Sequence, residues 1–294
     1  MSSRAVPESY RLVQLIRAGH PCEIWGVRRD SDHARLAMKL LPQGPHHSKD
    51  QIAQLRHEYS VGSAVDHENI VRMFEMGSNR DGTYIIMELF DYPNLKQRIQ
   101  QGIETLAHQT EGIIRQAAES LAHVHERGFL HRDVKPDNFL VSDEGTVKLI
   151  DFNLAERPKT GLAKLLGGKS KVQGTKSYMS PEQIRAKTLD VRSDIYSFGC
   201  LLHELLSGKV PFTGTSANEL LTKHLRSPRP PLEPLNKNVT REFAAFVRRM
   251  MAVNPEDRPA TMNDVLTELA TTPVFRKRPS PPAELPSATK EDQS

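Results

Sequence analysis

The stretch HRDVKPDNFL, His131 to Leu140, sets an acid, a lysine and an amide on one loop: Asp133, Lys135 and Asn138. Those groups at that spacing supply what phosphoryl transfer requires. A carboxylate can orient an attacking hydroxyl and accept its proton, an ammonium can offset charge growing on the transferred group, and an amide oxygen can hold a metal ion. Further on, VKLIDFNLAE ends a hydrophobic strand pattern at Asp151, where an emerging acid can supply a second metal ligand. Two residues later stands Asn153, at a turn where glycine is the usual choice because it accepts positive φ without steric hindrance. Taken singly, none of these residues carries a function. A lone acid or lysine is more often a solvated surface group, and His131 more often packs than ligates.

The elements that must position them fall into two textures. The first third is strand-like: YRLVQLIRAG with EIWGVRR as a hairpin pair, ARLAMKLL as a third strand, then NIVRMFEMGS and GTYIIMELF around the turn NRDG. Between them DQIAQLRHEYSVGSAV has helical spacing through Ile52, Leu55, Tyr59 and Val65. After DYPN helices take over: LKQRIQQG, then TEGIIRQAAESLAHVHERG closed by Gly128. FLVSD and TVKLID are short strands about the turn EG, and SDIYSFGCLLHELLSG is the most apolar helix, with Ser193 as its expected N-cap. The expected class is α+β. An extension over 1–9 leads to a small β-rich lobe over 10–87, a connector over 88–94 and a larger helical lobe over 95–272. Residues 273–294 are rich in Pro and Ser and are expected to form a disordered tail.

Composition excludes several classes. A 37% hydrophobic and 26% charged chain has apolar material for a core and a polar surface, which fits a globular protein. No apolar run approaches the roughly 20 residues that span a bilayer, and MSSRAVPESY lacks a signal-peptide core, so no membrane partner and a cytoplasmic location are expected. The net charge of +4 is spread along the chain, which argues against a nucleic-acid partner. Cys22 and Cys200 are the only cysteines, too few for a disulfide framework and without a CxxC spacing.

Taken in order, the motifs resemble the eukaryotic-type protein kinases, and among them the serine/threonine branch. HRDVKPDN is similar to that family's HRDLKPEN loop, and a lysine at 135 is the serine/threonine mark. LAMK resembles the VAIK strand, and MELF the hinge between lobes. GTKSYMSPEQ resembles the end of the activation segment, with Ser180-Pro181-Glu182 where Ala-Pro-Glu is usual, and SDIYSFG and NPEDRP match large-lobe segments. The resemblance covers about residues 10–270 and implies the two-lobed protein-kinase fold with ATP in the cleft. It implies Asp133 as base, Lys135 as transition-state cation, Asn138 and Asp151 as Mg²⁺ ligands, and Lys39 on the phosphates, paired with Glu58. Around the nucleotide it implies Ile16 and Gly19 from the phosphate-covering region, and Ile24, Ala37 and Leu140 sandwiching adenine. Met87 would be the gatekeeper, with backbone groups offered from Glu88 to Phe90. It further implies that His131 packs between the lobes, that Asp194 binds the catalytic-loop backbone, that Arg258 neutralises Glu182, and that Thr175 sits near Asp133 and Lys135. The implied partners are proteins presenting serine or threonine hydroxyls, a second copy of the chain included. The compact lobes are similar to soluble bacterial members.

Three departures from the pattern carry expectations of their own. In IRAGHPCEI only Gly19 survives of three expected glycines, with Arg17 and Cys22 at the other two positions, which weakens the backbone cradle for phosphates. Asn153 is expected to tolerate the left-handed turn in place of glycine. Gly62, one turn after Glu58, is expected to leave a gap beside Phe152 and a loosened, resting-inactive helix. These departures keep a second reading open, a pseudokinase that senses nucleotide or scaffolds on the same fold. A small-molecule kinase is a third, opposed by the full GTKSYMSPEQ segment. Between Asp151 and Glu182 five lysines face the lone interior acid Glu156, so Ser170 (Thr160 as runner-up) is expected to be phosphorylated and to anchor on Arg132.

Overall fold

The computed structural model describes residues 9–19, 21–44, 49–158 and 173–281. Five strands form one antiparallel sheet: β1 (Tyr10–Arg17), β2 (Glu23–Arg29), β3 (Arg35–Pro42), β4 (Met73–Asn79) and β5 (Gly82–Glu88), ordered β1-β2-β3-β5-β4. The two-residue period of a strand splits this sheet into two chemically different faces. Val27, Leu36, Met38, Leu40, Tyr84 and Ile86 form one apolar cluster on the outer face. The alternate residues Ala37, Lys39 and Leu41 of β3 point the other way, toward the rest of the molecule. Helix α1 (Lys49–Gly62) buries Leu55, Glu58, Val61 and Gly62 beside that inner face.

The second lobe is helical. Helix α2 (Leu95–Gln100) starts in a capping box made by Asn94 and Gln97, so the Asn94 side chain is engaged in holding the helix start. After the short α3 (Ile103–Leu106) comes α4 (Thr110–Glu126), whose chain turns out at Gly128 with φ 79°. Strands β6 (Phe139–Val141) and β7 (Val147–Leu149) form a small hairpin that follows the loop carrying Asp133, Lys135 and Asn138. Helices α5 (Pro181–Ile184), α6 (Val191–Ser207), α7 (Ala217–Arg226), α8 (Arg241–Met250) and α9 (Met262–Thr271) complete the lobe. The apolar α6 is central: every residue from Ser193 to Leu206 is buried.

Two local expectations need correction. The N-cap of α6 is Asp190, whose side chain accepts from Arg192 N–H, and Ser193 lies inside the helix with its hydroxyl donating to Glu182 at 2.7 Å. Both residue types cap well, but only Asp190 precedes the first helical turn. The disordered tail does not begin at 273. Val274 and Phe275 are buried, and Thr240 N–H donates to Val274 O at 3.0 Å while Arg276 N–H donates to Asn238 O at 2.7 Å. Two apolar side chains and paired backbone groups are enough to dock this stretch against α8. Among the described residues no helix is long and apolar enough to cross a membrane.

Candidate active site

The loop over residues 131–138 is held from below by one buried acid. Asp194 accepts from the backbone N–H groups of His131 and Arg132, both at 2.8 Å, and pairs with His125 Nε2 at 2.9 Å. Burial pushes its carboxyl up, but His125 and the backbone donors outweigh that and hold it below the usual carboxylate range. Arg132 adopts φ 67°, a left-handed conformation uncommon for a bulky residue, which these bonds hold in place. His131 is fully buried, with its ring 5.5 Å from that of Phe152.

Both carboxylate oxygens of Asp133 are engaged. Lys135 Nζ donates to Oδ2 at 2.6 Å and to Thr175 Oγ1 at 2.8 Å, and Thr175 donates through N–H and hydroxyl to Oδ1, each at 3.0 Å. Burial raises the Asp133 pKa, but Lys135 and Thr175 together bring it below its ordinary value, so the acid stays ionised at neutral pH. Thr175 reaches this position because Gly174 adopts φ 119°; a Cβ there would sit 3.2 Å from Arg132 O. Gln183 Nε2 donates to that same Arg132 carbonyl at 2.9 Å. Sequence reasoning missed Gln183, although its place in the quoted SPEQ segment was the available signal.

Asn138 Nδ2 donates to Asp133 O at 2.8 Å. That bond fixes the amide so that its oxygen, which accepts no hydrogen bond among the described residues, is left for another partner. Asp151 contributes a second oxygen donor from the end of β7, with one oxygen accepting from Asn153 N–H at 3.2 Å. Two hard oxygen donors suit a small divalent cation. The turn itself answers the question posed by Asn153: the positive φ falls on Asp151, at 70°, and Asn153 does not share it. No glycine is needed at 153, and the expectation that asparagine must tolerate left-handed geometry there is corrected.

Across the cleft, Lys39 Nζ lies 2.7 and 2.6 Å from the two carboxylate oxygens of Glu58. Burial disfavours the ammonium, but Glu58 and Asp151 more than offset this and hold the Lys39 pKa above its usual value. The pair is therefore formed, and the expected gap at Gly62 is absent. A Cβ added to Gly62 would lie 2.3 Å from Met73 Sδ, so the thioether of Met73 on β4 fills the space that a larger residue on α1 would occupy. The helix is seated, with both Glu58 oxygens on Lys39.

Strand register sorts the remaining predicted nucleotide residues. Ile24 lies opposite Lys39 and Gly26 opposite Ala37, while Ala37 lies opposite Met87. Directly opposed residues share a face, so Ile24, Ala37, Lys39 and Met87 all line the inner side of the sheet. Ile16 reaches the same side, since a Cβ on Gly26 would touch its Cδ1 at 3.7 Å. Leu140 faces them from the other lobe, half-buried beside Asn94. The Glu88 carboxylate pairs with Lys148 at 2.7 Å, and the Phe90 N–H makes no hydrogen bond among the described residues. Gly19 is required by close approach: a Cβ there would stand 2.6 Å from Cys22 O. Arg17 is exposed. The Cys22 thiol is half-buried against the core; burial raises its pKa, with Lys39 opposing from nearby. Lys39 is thus a neighbouring cation that the sequence did not reveal.

A small lobe carrying a buried lysine–glutamate pair, set over a helical lobe carrying an acid, lysine and amide on one loop, defines the two-lobed phosphotransferase fold. The chain matches the protein kinase domain family over residues 10–271. Among curated proteins it is similar to serine/threonine-protein kinase PknB of Mycolicibacterium smegmatis, 31% identical over 266 residues, 89% of this chain and 42% of that protein. It is similar to serine/threonine-protein kinase PrkC of Bacillus subtilis, 30% identical over 263 residues, 89% of this chain and 40% of that protein. It is also similar to a probable serine/threonine-protein kinase PknB of Lactococcus lactis, 31% identical over 277 residues, 92% of this chain and 43% of that protein. The chain spans about two fifths of the length of these relatives. It belongs to the protein kinase family, a family that uses ATP. The non-catalytic reading is not favoured.

Proposed function

We propose that this chain transfers the γ-phosphoryl group of Mg²⁺-ATP to serine or threonine hydroxyls of proteins, a second copy of itself included. The observation that carries this reading is the engaged set Asp133, Lys135 and Thr175, facing a formed Lys39–Glu58 pair. Asp133 is proposed to orient the attacking hydroxyl and accept its proton. Lys135, already bridging Asp133 and Thr175, is proposed to offset charge on the transferred group. Asn138 and Asp151 are proposed to hold Mg²⁺, which would supply charge neutralisation when bound. Lys39 is proposed to fix the α- and β-phosphates, with adenine between Ile24, Ala37 and Leu140 and hydrogen-bonded to backbone groups between Glu88 and Phe90. A reducing, cytoplasmic setting for the domain is proposed from its two unpaired thiols, Cys22 and Cys200. Protease access to the domain from outside intact cells would count against that setting.

The test uses Lys39→Met, which removes the cation and keeps most of the aliphatic stem. It is expected to lower phosphoryl transfer by about a hundredfold or more, a loss beyond what the modest fall in melting temperature from leaving the buried Glu58 without its partner can account for. Transfer at the wild-type rate by the variant would remove Lys39 from the proposed site.

A further inference from the structure

Arg132, beside the catalytic acid, is the cation on which the sequence placed an expected phosphate. Ser170 and Thr160, the expected acceptors, lie outside the described residues. The Arg132 guanidinium is already paired: its side chain is 6% exposed and Nη1 lies 2.6 Å from Glu156 Oε2. The backbone places that carboxylate. Leu130 N–H donates to Glu156 O at 2.8 Å and Glu156 N–H donates to Leu130 O at 3.0 Å, an antiparallel bridge two residues before Arg132. The preceding residue, Ala155, is wholly buried, and its carbonyl accepts from His57 Nε2 at 2.5 Å. A carbonyl only accepts, so the ring carries its proton on Nε2. His57 is the residue immediately before Glu58. The pair Ala155–Glu156 therefore ties together the helix that carries Glu58, the strand-like entry to the catalytic loop, and the arginine inside that loop.

We propose that Glu156 is the resident anion of the Arg132 pocket, a positioning residue that holds the catalytic loop in working geometry without a phosphate between Asp151 and Glu182. A guanidinium this buried needs a counter-charge, and an unpaired one is strongly unfavourable. Glu156 supplies that charge from within the chain. A phosphate arriving at Arg132 meets a carboxylate already on the guanidinium, and like charges repel. The sequence reading saw Glu156 only as a lone acid among lysines; its partner came into view through the Leu130–Glu156 bridge.

The proposal rests on the kinase reading, and its experiment separates the two. The full chain is treated with a broad phosphatase until mass spectrometry finds no phosphate, the phosphatase is removed, and initial rates with labelled ATP and casein are taken only while mass spectrometry still finds the chain free of phosphate. Treated wild type is expected to keep its kcat within about twofold. Glu156→Gln, which keeps shape and removes charge, is expected to lower kcat about tenfold with the KM for ATP nearly unchanged, and Glu156→Asp to recover part of the loss. Hydrogen exchange over residues 130–134 is read in parallel, faster in Glu156→Gln and slowed again in Glu156→Asp. A tenfold fall of wild-type kcat on phosphatase treatment overturns the proposal, as does a Glu156→Gln protein with unchanged kcat and exchange. Absence of transfer by untreated wild type counts against the kinase reading instead, and the exchange rates alone then decide on Glu156.

Discussion

At the scale of single residues, the candidate site consists of groups whose alternative positions have been removed. Asp133 cannot rotate freely because Lys135 and Thr175 hold both oxygens, and Lys39 cannot drift because Glu58 grips it with both. The Gly62–Met73 contact is the most specific residue-scale finding. Met73→Ala is expected to destabilise the protein by about 2–4 kcal/mol, since it empties packed space. Gly62→Ala alone is expected to destabilise by less, about 1 kcal/mol, because its methyl meets Met73 Sδ at 2.3 Å but the flexible thioether can shift and the helix gains propensity. The double variant is expected to lose clearly less than the sum, read by urea unfolding of all four proteins. Strict additivity would show that the two residues do not share one space. This pair also marks a limit of sequence reading. The charged site residues were legible because their chemistry needs fixed types at fixed spacing. The filler at Gly62 comes from a different element, and no periodicity in α1 announces it. Asn153 misled for a related reason, since the residue type suggested where a positive φ would fall and the backbone put it on Asp151.

At the scale of elements, strands were readable from alternation and helices from their spacing, whereas ends were decided by competing caps such as Asp190 and Ser193. The junction of α6 and α7 carries a pH dependence that neither helix shows alone. His224 on α7 is fully buried, and its Nδ1 lies 2.8 Å from Tyr196 Oη on α6. Burial, with Arg229 assisting, pushes its pKa down to about 4. In the unfolded chain a histidine takes a proton near pH 6.5, so between about 6.5 and 4 the unfolded state binds the extra proton and the folded state does not. Stability is therefore lost as pH falls through that window, by up to about 3 kcal/mol. His224→Gln is expected to flatten this part of the curve, measured by denaturant midpoints from pH 7 to 4. An unchanged slope would place the titration elsewhere.

At the scale of the whole molecule, the lobes are joined by more than the hinge. Val71 N–H donates to Leu149 O at 3.0 Å and Leu149 N–H to Asn69 O at 2.8 Å, so β7, which leads into Asp151, is stitched to the segment entering β4. The hydrophobic core runs from Met73 and Ile85 through Phe152 into the helical lobe as one cluster. Its far end includes Val274 and Phe275, which composition alone assigned to a tail because two apolar residues are outnumbered there by Pro, Ser and charge. Phe275→Ala is expected to cost about 3 kcal/mol and lower the thermal midpoint, whereas a disordered tail would leave the midpoint unmoved. What the assembled molecule is held to do is move a phosphoryl group, with Asp133 at the point of attack. The most direct measurement is the initial rate of label transfer from γ-labelled ATP to casein in the presence of Mg²⁺, for wild type and for Asp133→Asn. The account predicts ready transfer by wild type and a loss of at least about a hundredfold in the variant, with ATP affinity retained. Transfer by Asp133→Asn at the wild-type rate, or wild-type incorporation no higher than that of the variant, would contradict it.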